Sequence, residues 1–442
     1  VAPTLRSLLG PQGGGRSLLR FDDCDEILTF VNSKKALALV EAGAATPDHL
    51  LSTKQRPLMV EVGNPSYVGD LRRALEQGVE GYRWAYGDWF RTHADGSAEM
   101  RDAAPRVVLV PGLGMWISGP DAGSLSVVSD IYHHTVSIMA GASAVDEYTS
   151  LSAKDAYEAE YWPLELYKMT LLPAERELSR RVALVTGAAR GIGKAIARRL
   201  AAEGAHVALS DIDWDGVEQA AEEINVEVGA GRCLAVALDV TSPEQVADAF
   251  RETVLAFGGV DILVSNAGIA PTGTLDQLSL SDWQRSLDVN ATGHLLVAQE
   301  TVRILREQGL GGSLVFVATK NVTAPGRGFG AYSAAKAAEA QLARVLAIEN
   351  GSYGIRCNII NPDAVFQDSG LWSQELREER AESHGIPVSE LEEFYRKRNL
   401  LQAFVAPGDV AEAALYLAGD RSAKTTGCII TVDGGVPEAF PR

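Results

Sequence analysis

Hydrophobic positions fall into two different patterns along this chain, and the change comes near residue 180. Beyond it, apolar runs recur at regular intervals: "RVALVTGA", "HVALSDI", "CLAVALDV", "VDILVSNAG", "GSLVFVAT", "IRCNIINP" and "CIITVDGG". Most are continuous rather than alternating, which suits strands buried on both faces of a parallel sheet. Helical stretches such as "GIGKAIARRLAAEGA" and "SPEQVADAFRETVLAFG" separate them. Strands joined by crossover helices predict an α/β fold with a doubly wound parallel seven-stranded sheet.

The first part of the chain has fewer such signals. "RPLMVEVG" and "PRVVLVPGLGMWISG" read as strands, "AGSLSVVSDIYHHTVSIMAGA" and "DAYEAEYWPLELYKMTLLPAEREL" as helices. They predict a smaller α/β domain over residues 1–178, ahead of a larger one over 179–442. The polar, proline-containing "LLPAERELSRR" makes the junction, and "PQGGGR" reads as a short flexible loop.

Composition narrows the function. A formal charge of −18, from 40 Lys+Arg against 58 Asp+Glu, comes without a basic cluster. Nucleic acid needs a basic stripe to neutralise phosphates, so neither it nor an anionic membrane is expected as a partner. No apolar run approaches the ~20 residues of a membrane span, and the N-terminal stretch lacks a signal-peptide core. Cys24, Cys233, Cys357 and Cys428 are scattered without a CxxC pair, which fits reduced thiols and a cytoplasmic location. The chain begins at Val1 rather than Met, which leaves open a processed product or a fragment of a longer protein.

Candidate chemistry begins after the first strand of the larger domain. "TGAARGIG" places Gly187, Gly191 and Gly193 between a strand and a helix. Glycines let backbone approach a pyrophosphate, whose charge the helix N-terminal amides then hold. About eighteen residues beyond Gly193 the second strand ends at Asp211, where an acid accepts hydrogen bonds from the adenine ribose hydroxyls. Asp211 therefore favours NAD over NADP as cofactor. Arg190 is placed to meet a 2′-phosphate, but Asp211 would repel that group. As a helix N-cap, Asp213 or Asp215 suits better than Asp211.

Further motifs follow in order: "LDVT" with Asp239 and Val240, "SNAG" with Asn266, Ala267 and Gly268, and "DVNATG" with Asn290. After them come "YSAAK" with Tyr332 and Lys336, "NIINPDAV", and "TVDGG". From about residue 180 to 436 the chain resembles the short-chain dehydrogenases/reductases, whose sheet is of the Rossmann type. The resemblance implies that Tyr332 is general base in alcohol oxidation and general acid in carbonyl reduction. It implies that Lys336 holds the nicotinamide ribose and that Asn290 orders a water in the proton relay. Cofactor-binding roles are likewise implied for Ile192, Ile212, Asp239, Val240, Asn266, Ala267, Gly268, Pro362 and Val365.

Lys336, four residues beyond Tyr332 on one helix face, is expected to lower a phenol pKa that is ordinarily near ~10. Thirteen residues before the tyrosine, where the family carries a serine, stands Thr319. It keeps the hydroxyl that hydrogen-bonds a substrate oxygen and adds a methyl that narrows the pocket. Asp363 replaces the usual glycine after Pro362. Residues 366–404 read as a mobile lid over the substrate, with Trp372, Phe394 and Tyr395 as candidate pocket or packing residues.

Over its whole length the chain resembles the later part of bifunctional class II aldolase/short-chain dehydrogenases, the rhamnulose-1-phosphate aldolase/lactaldehyde dehydrogenase type. "ATPDHLLSTKQRPLMVEVG", "PRVVLVPGLGMWISGPDA" and the ending "GGVPEAFPR" carry this resemblance. That family's zinc site needs a His-x-His pair, which this sequence does not contain. His133 and His134 diverge by about 100° on a helix, and His49 suits a helix start, so no metal site is expected. Residues 1–178 are then a remnant or linking domain of the aldolase half. The resemblance implies a homodimer or homotetramer acting on a small lactaldehyde-like molecule. A sugar or polyol dehydrogenase, a sugar-phosphate aldolase and a non-catalytic NAD-binding scaffold are the alternatives.

Overall fold

The computed structural model describes residues 1–10, 15–62, 67–171 and 173–440. Residues 11–14 of "PQGGGR", Gly63 at the end of "RPLMVEVG" and Leu172 in the junction lie outside the described residues. The chain divides into two compact units, residues 1–176 with 254–259, and residues 177–253 with 260–442.

The first unit holds a four-stranded sheet of β1 (Leu18–Asp22), β2 (Leu58–Met59), β3 (Val107–Val110) and β4 (Gly114–Gly119), in the order β1-β4-β3-β2. "PRVVLVPGLGMWISG" is a hairpin rather than one strand. β3 and β4 run antiparallel, and the chain turns through Gly112 and Gly114, both at positive φ, where glycine carries no Cβ penalty. A helix over Val68–His93 supplies Leu71, Leu75 and Val79, one turn apart, to the core against Val108, Val110 and Trp116. Pro163 splits the last expected helix into Ala153–Glu160 and Pro163–Thr170, because proline has no N–H to continue the ladder. Glu160 is fully buried and is compensated by Lys54 at 2.9 Å, the Tyr86 hydroxyl at 2.7 Å and Arg101 at 3.3 Å.

The second unit carries β5 (Val182–Thr186), β6 (His206–Asp211), β7 (Cys233–Ala237), β8 (Ile262–Ser265), β9 (Gly312–Val317), β10 (Ile355–Pro362) and β11 (Ile429–Val432). All seven predicted strands form one parallel sheet, in the order β11-β10-β9-β8-β5-β6-β7. Every residue of β5 is buried, as continuous apolar runs require when helices cover both faces. Ile196, Leu200, Val410 and Leu415 pack one face, and Val246, Phe250, Val297 and Leu346 the other. After β7 the chain crosses back to β8 on the far side of β5. The strand order therefore reverses between β5 and β8, and a crevice opens at their carboxyl ends. Among the described residues no helix is long and apolar enough to cross a membrane.

Candidate active site

A cavity of about 1250 Å³ occupies that crevice, lined from the carboxyl ends of β5 to β10. It contains Gly187, Arg190, Gly191, Ile192, Asp211, Ile212, Asp239, Val240, Asn266, Ala267 and Gly268, and also Thr319, Tyr332, Lys336, Pro362 and Val365. Gly193 and Asn290 are not among its lining residues.

The glycine loop is shaped by close approach. Gly187 has φ +65, and a Cβ there would lie 2.9 Å from Ala267 Cα. A Cβ on Gly193 would lie 2.1 Å from the Gly187 carbonyl oxygen, so Gly193 serves packing between turn and helix rather than the cavity wall. Asn266 braces the same turn, its Nδ2 donating to the carbonyls of Thr186 and Gly187 at 3.0 Å each. The amides of Asn266 and Ala267 both donate to Thr186 Oγ1, at 2.9 and 3.1 Å. The turn is thus preorganised from beneath, with its open side toward the cavity, and these residues fit a dinucleotide diphosphate.

Asp211 accepts hydrogen bonds from the Ala189 amide at 3.1 Å and the Asp213 amide at 3.0 Å, which fixes its carboxylate at the cavity edge. Asp213, not Asp211, caps the next helix by accepting from the Gly216 amide. Arg190 pairs with Asp213 at 2.6 Å, so its guanidinium is engaged. Asp239 accepts from the Thr241 amide and hydroxyl at 2.9 and 2.7 Å, which holds the turn after β7.

Tyr332 opens the helix Gly330–Asn350, and Thr319 follows β9 as the cap of a short turn. Burial pushes the Tyr332 phenol well above its ordinary range, while a hydrogen bond from the Thr319 hydroxyl acts against that rise. Lys336 has partners of its own beside Tyr332. Its Nζ donates to the Val317 carbonyl at 2.9 Å and faces the Glu339 carboxylate at 2.7 Å, both partners buried. Glu339, one helical turn on, thus pairs with the ammonium expected to act on Tyr332. Burial raises Glu339 to about 7 against the lowering effect of Lys336. Behind it His294 contacts Ser265 Oγ at 2.6 Å and the Ala267 carbonyl at 3.0 Å. Burial and the Lys336 charge hold His294 well below its usual pKa, so it is neutral.

Asn290 sits in a π-helical turn, Asp288–Gly293, and is fully buried. Its amide accepts from the Ile269 amide at 3.1 Å and donates to the Ile269 carbonyl at 2.8 Å. The Asn290 side chain thereby clamps the loop after β8.

Segment 366–404 contains helices Gln374–His384 and Leu391–Arg398. Leu376 and Trp372 pack onto Phe329 and Tyr332. Trp372 and Tyr395 line the cavity, whereas Phe394 stacks with His384, ring centroids 4.4 Å apart. Asp363 forms an ion pair with Arg398. Glu339, His294, Lys320, Arg380, Arg398 and Asp368 belong to none of the sequence motifs. For Glu339 a signal existed, three residues beyond Lys336 on the same helix face.

In the first unit, Asp22, Cys24 and His133 hold ligand-type atoms within 4.8 Å of one another. His133 is engaged at both nitrogens, by Asp22 at 2.8 Å and Glu26 at 2.9 Å. His49 contacts the Thr135 hydroxyl at 2.9 Å.

Comparison with known proteins bears on both units. The family described as enoyl-(acyl carrier protein) reductase matches residues 187–437, and aldolase class II, second domain, matches residues 1–169. Uncharacterized oxidoreductase YuxG of Bacillus subtilis is 44% identical over 444 residues, covering 100% of this chain. This chain spans 64% of the length of that relative. D-threitol dehydrogenase of Mycolicibacterium smegmatis is 34% identical over 58% of this chain and 93% of its own. Among solved structures, sorbitol-6-phosphate 2-dehydrogenase from Erwinia amylovora is similar at TM-score 0.56 and 29% identity, over 59% of this chain and 100% of that one. 3-Ketoacyl-(acyl-carrier-protein) reductase from Brucella melitensis complexed with NADH is similar at TM-score 0.51 and 29% identity, over 59% and 98%.

Proposed function

This chain belongs to the short-chain dehydrogenase/reductase family and is an oxidoreductase, and we propose that it interconverts a hydroxyl and a carbonyl on a small, hydroxylated, sugar-derived compound with NAD as cofactor. The single observation that carries this reading is the meeting of Thr319, Tyr332 and Lys336 in one cavity with the Gly187–Gly191 turn and Asp211. A bound nicotinamide would supply the hydride acceptor in oxidation and the hydride donor in reduction.

The protein's own part is proton handling and positioning. In oxidation the substrate carbon gives up its hydride and the hydroxyl gives up its proton, which Tyr332 accepts when its phenol is ionised. In reduction Tyr332 returns that proton to the carbonyl oxygen. Such a step needs the acid or base within hydrogen-bond reach of the reacting oxygen. Thr319, beside the phenol, donates to the substrate oxygen and orients it. Lys336, buried and anchored on Val317, would hold the nicotinamide ribose from the helix face below. Leu376 and Trp372 above Tyr332 keep water from the reacting atoms.

Asp211 supports NAD, because its carboxylate is fixed where a 2′-phosphate would be repelled and Arg190 is committed to Asp213. A polyol-type substrate is favoured by similarity to D-threitol dehydrogenase and sorbitol-6-phosphate 2-dehydrogenase, and lactaldehyde by the fused family alone. The aldolase class II match assigns the first unit to that lineage, but without a His-x-His pair we do not assign lyase chemistry to it. A cytoplasmic homodimer or homotetramer completes the reading. NADH formation from NAD⁺ across aldehydes, hydroxy acids and polyols tests it. Activity that survives in Tyr332→Phe would sink it.

A further inference from the structure

Three cationic side chains converge where the cavity passes under segment 366–404. Lys320 follows Thr319, Arg380 lies on the helix Gln374–His384, and Arg398 ends the helix Leu391–Arg398. All three line the cavity. Each comes from a separate element, so no single helix face accounts for the cluster.

Their surroundings are short of compensating charge. Arg380 is only 7% exposed, and its partners are neutral: the Arg327 carbonyl at 2.9 Å, the Tyr395 hydroxyl at 3.4 Å and His384 Nε2 at 3.1 Å. Lys320 donates to the Ala324 carbonyl at 3.2 Å. Arg398 pairs with Asp363 and stacks over the Tyr395 ring at 4.3 Å, yet its buried Nε has no hydrogen-bond partner. Asp363 thus offsets one charge of three. The cations also act on one another: burial first, then Arg398, lowers Lys320, and burial, Arg380, Arg398 and Lys320 lower His384. Asp363 and Glu438 pull Lys320 the other way, and only Asp363 of those two lines the cavity.

A buried cation without a counter-charge, as Arg380 is, is costly, and beside the half-buried Lys320 and Arg398 it marks a place in the cleft where a ligand supplies the missing charge. A guanidinium presents parallel donors that match a carboxylate or a phosphate. The distal wall joins Tyr332 directly, since Arg380 stacks 5.0 Å over the Phe329 ring and Phe329 lies 6.0 Å from the Tyr332 ring. We propose that this wall is an anion subsite: the substrate is a polyhydroxy compound bearing a carboxylate or phosphate, bound by Arg398 and Lys320 with Arg380 behind them. The hydroxyl to be oxidised then lies at Thr319 and Tyr332. This rests on the Tyr332 reading above and narrows its substrate class to sugar acids and sugar-alcohol phosphates. It makes neutral lactaldehyde a poor substrate.

The test compares matched six-carbon compounds on the full chain with NAD⁺: sorbitol, gluconate and sorbitol 6-phosphate. Hydrogen bonds to charged groups predict that at least one anion exceeds sorbitol in kcat/KM by about ten- to a hundredfold. The two anionic arms separate a carboxylate from a phosphate preference. Arg398→Gln should collapse that ratio toward one, chiefly through KM of the anion, and Lys320→Gln should lower it as well. Sorbitol turned over as well as both anions, or a ratio unchanged in both variants, overturns the proposal. If none of the three turns over, the dehydrogenase reading fails for this panel. Calorimetric binding to the NADH-loaded chain then decides the subsite: gluconate or sorbitol 6-phosphate binding where sorbitol does not supports it, and binding of neither anion overturns it.

Discussion

The Asp368 carboxylate accepts the amide hydrogen of Gly191 at 3.2 Å. Gly191 is the first residue of the helix Gly191–Ala202, and its amide is one of those a diphosphate would use. Segment 366–404 thus reaches the helix terminus with an anion of its own. Asp368 holds positive φ there, a conformation that Asp and Asn tolerate better than most residues. A carboxylate at this place would compete with a bound diphosphate and repel it. Asp368→Asn keeps the backbone conformation and removes the charge. A charge at a helix terminus is worth ~0.3–1 kcal/mol, so NADH affinity should rise about two- to fivefold. A fluorescence titration reads this directly, and unchanged or weaker affinity would show that Asp368 does not compete with cofactor.

Thr319 and Tyr332 make a sharper pair of tests, because in the proposed reaction one hydroxyl would move the proton and the other orient the oxygen. Tyr332→Phe should lower turnover by about 10²–10⁴-fold and leave NADH binding nearly unchanged. Thr319→Ser keeps the donor and should stay within a few-fold of the parent, while Thr319→Ala should not. Steady-state kinetics distinguish these outcomes. Equal activity of the serine and alanine variants would remove Thr319 from the reaction.

Much of this arrangement was legible because it is local. The seven apolar runs became seven strands because period and burial are written in consecutive residues. Gly187, Asp211 and Asn266 gather at one crevice because each ends a strand or follows one. The helix Val68–His93 was harder, since its buried Leu71, Leu75 and Val79 are diluted by Gly78, Gly81 and many charges. Long-range pairings left no local trace. Nothing near Lys54 announces Glu160, nor near Asp363 announces Arg398. Asn290 shows a third limit: its motif was visible, but its side-chain clamp on Ile269 depends on the loop after β8.

Cofactor preference turns on a network rather than on one acid. On the NAD reading Asp211 would repel a 2′-phosphate; it braces the Ala189 and Asp213 amides, and Asp213 in turn occupies Arg190. Asp211→Ala should raise the NADP/NAD ratio of kcat/KM but leave Arg190 paired. Adding Asp213→Asn, which keeps a helix cap, should free Arg190 and raise the ratio further, by about tenfold for a new charge-assisted contact. Paired kinetics with both cofactors check this. An unmoved ratio in the double variant would take Asp211 and Arg190 out of the cofactor contact.

Glu339 contributes a pH dependence at the site. Burial raises its carboxyl from the ordinary 4.5 to about 7, so the folded chain holds a proton that the unfolded chain releases earlier. Between those two values the folded state binds more protons, and stability therefore falls as pH rises. The same ionisation works against Tyr332, whose phenol is raised by burial first and then, after the opposing Thr319 hydrogen bond, by the Glu339 charge. Glu339→Gln removes the charge and leaves Lys336 with Val317 alone. Two shifts should follow together. Stability measured by denaturant should lose the component that declines from about pH 4.5 to about pH 7. The pH profile of alcohol oxidation, which rises as the phenol ionises, should move to lower pH. A residue with only a packing role would change stability without moving the profile, so a profile identical to the parent's would confine Glu339 to structure.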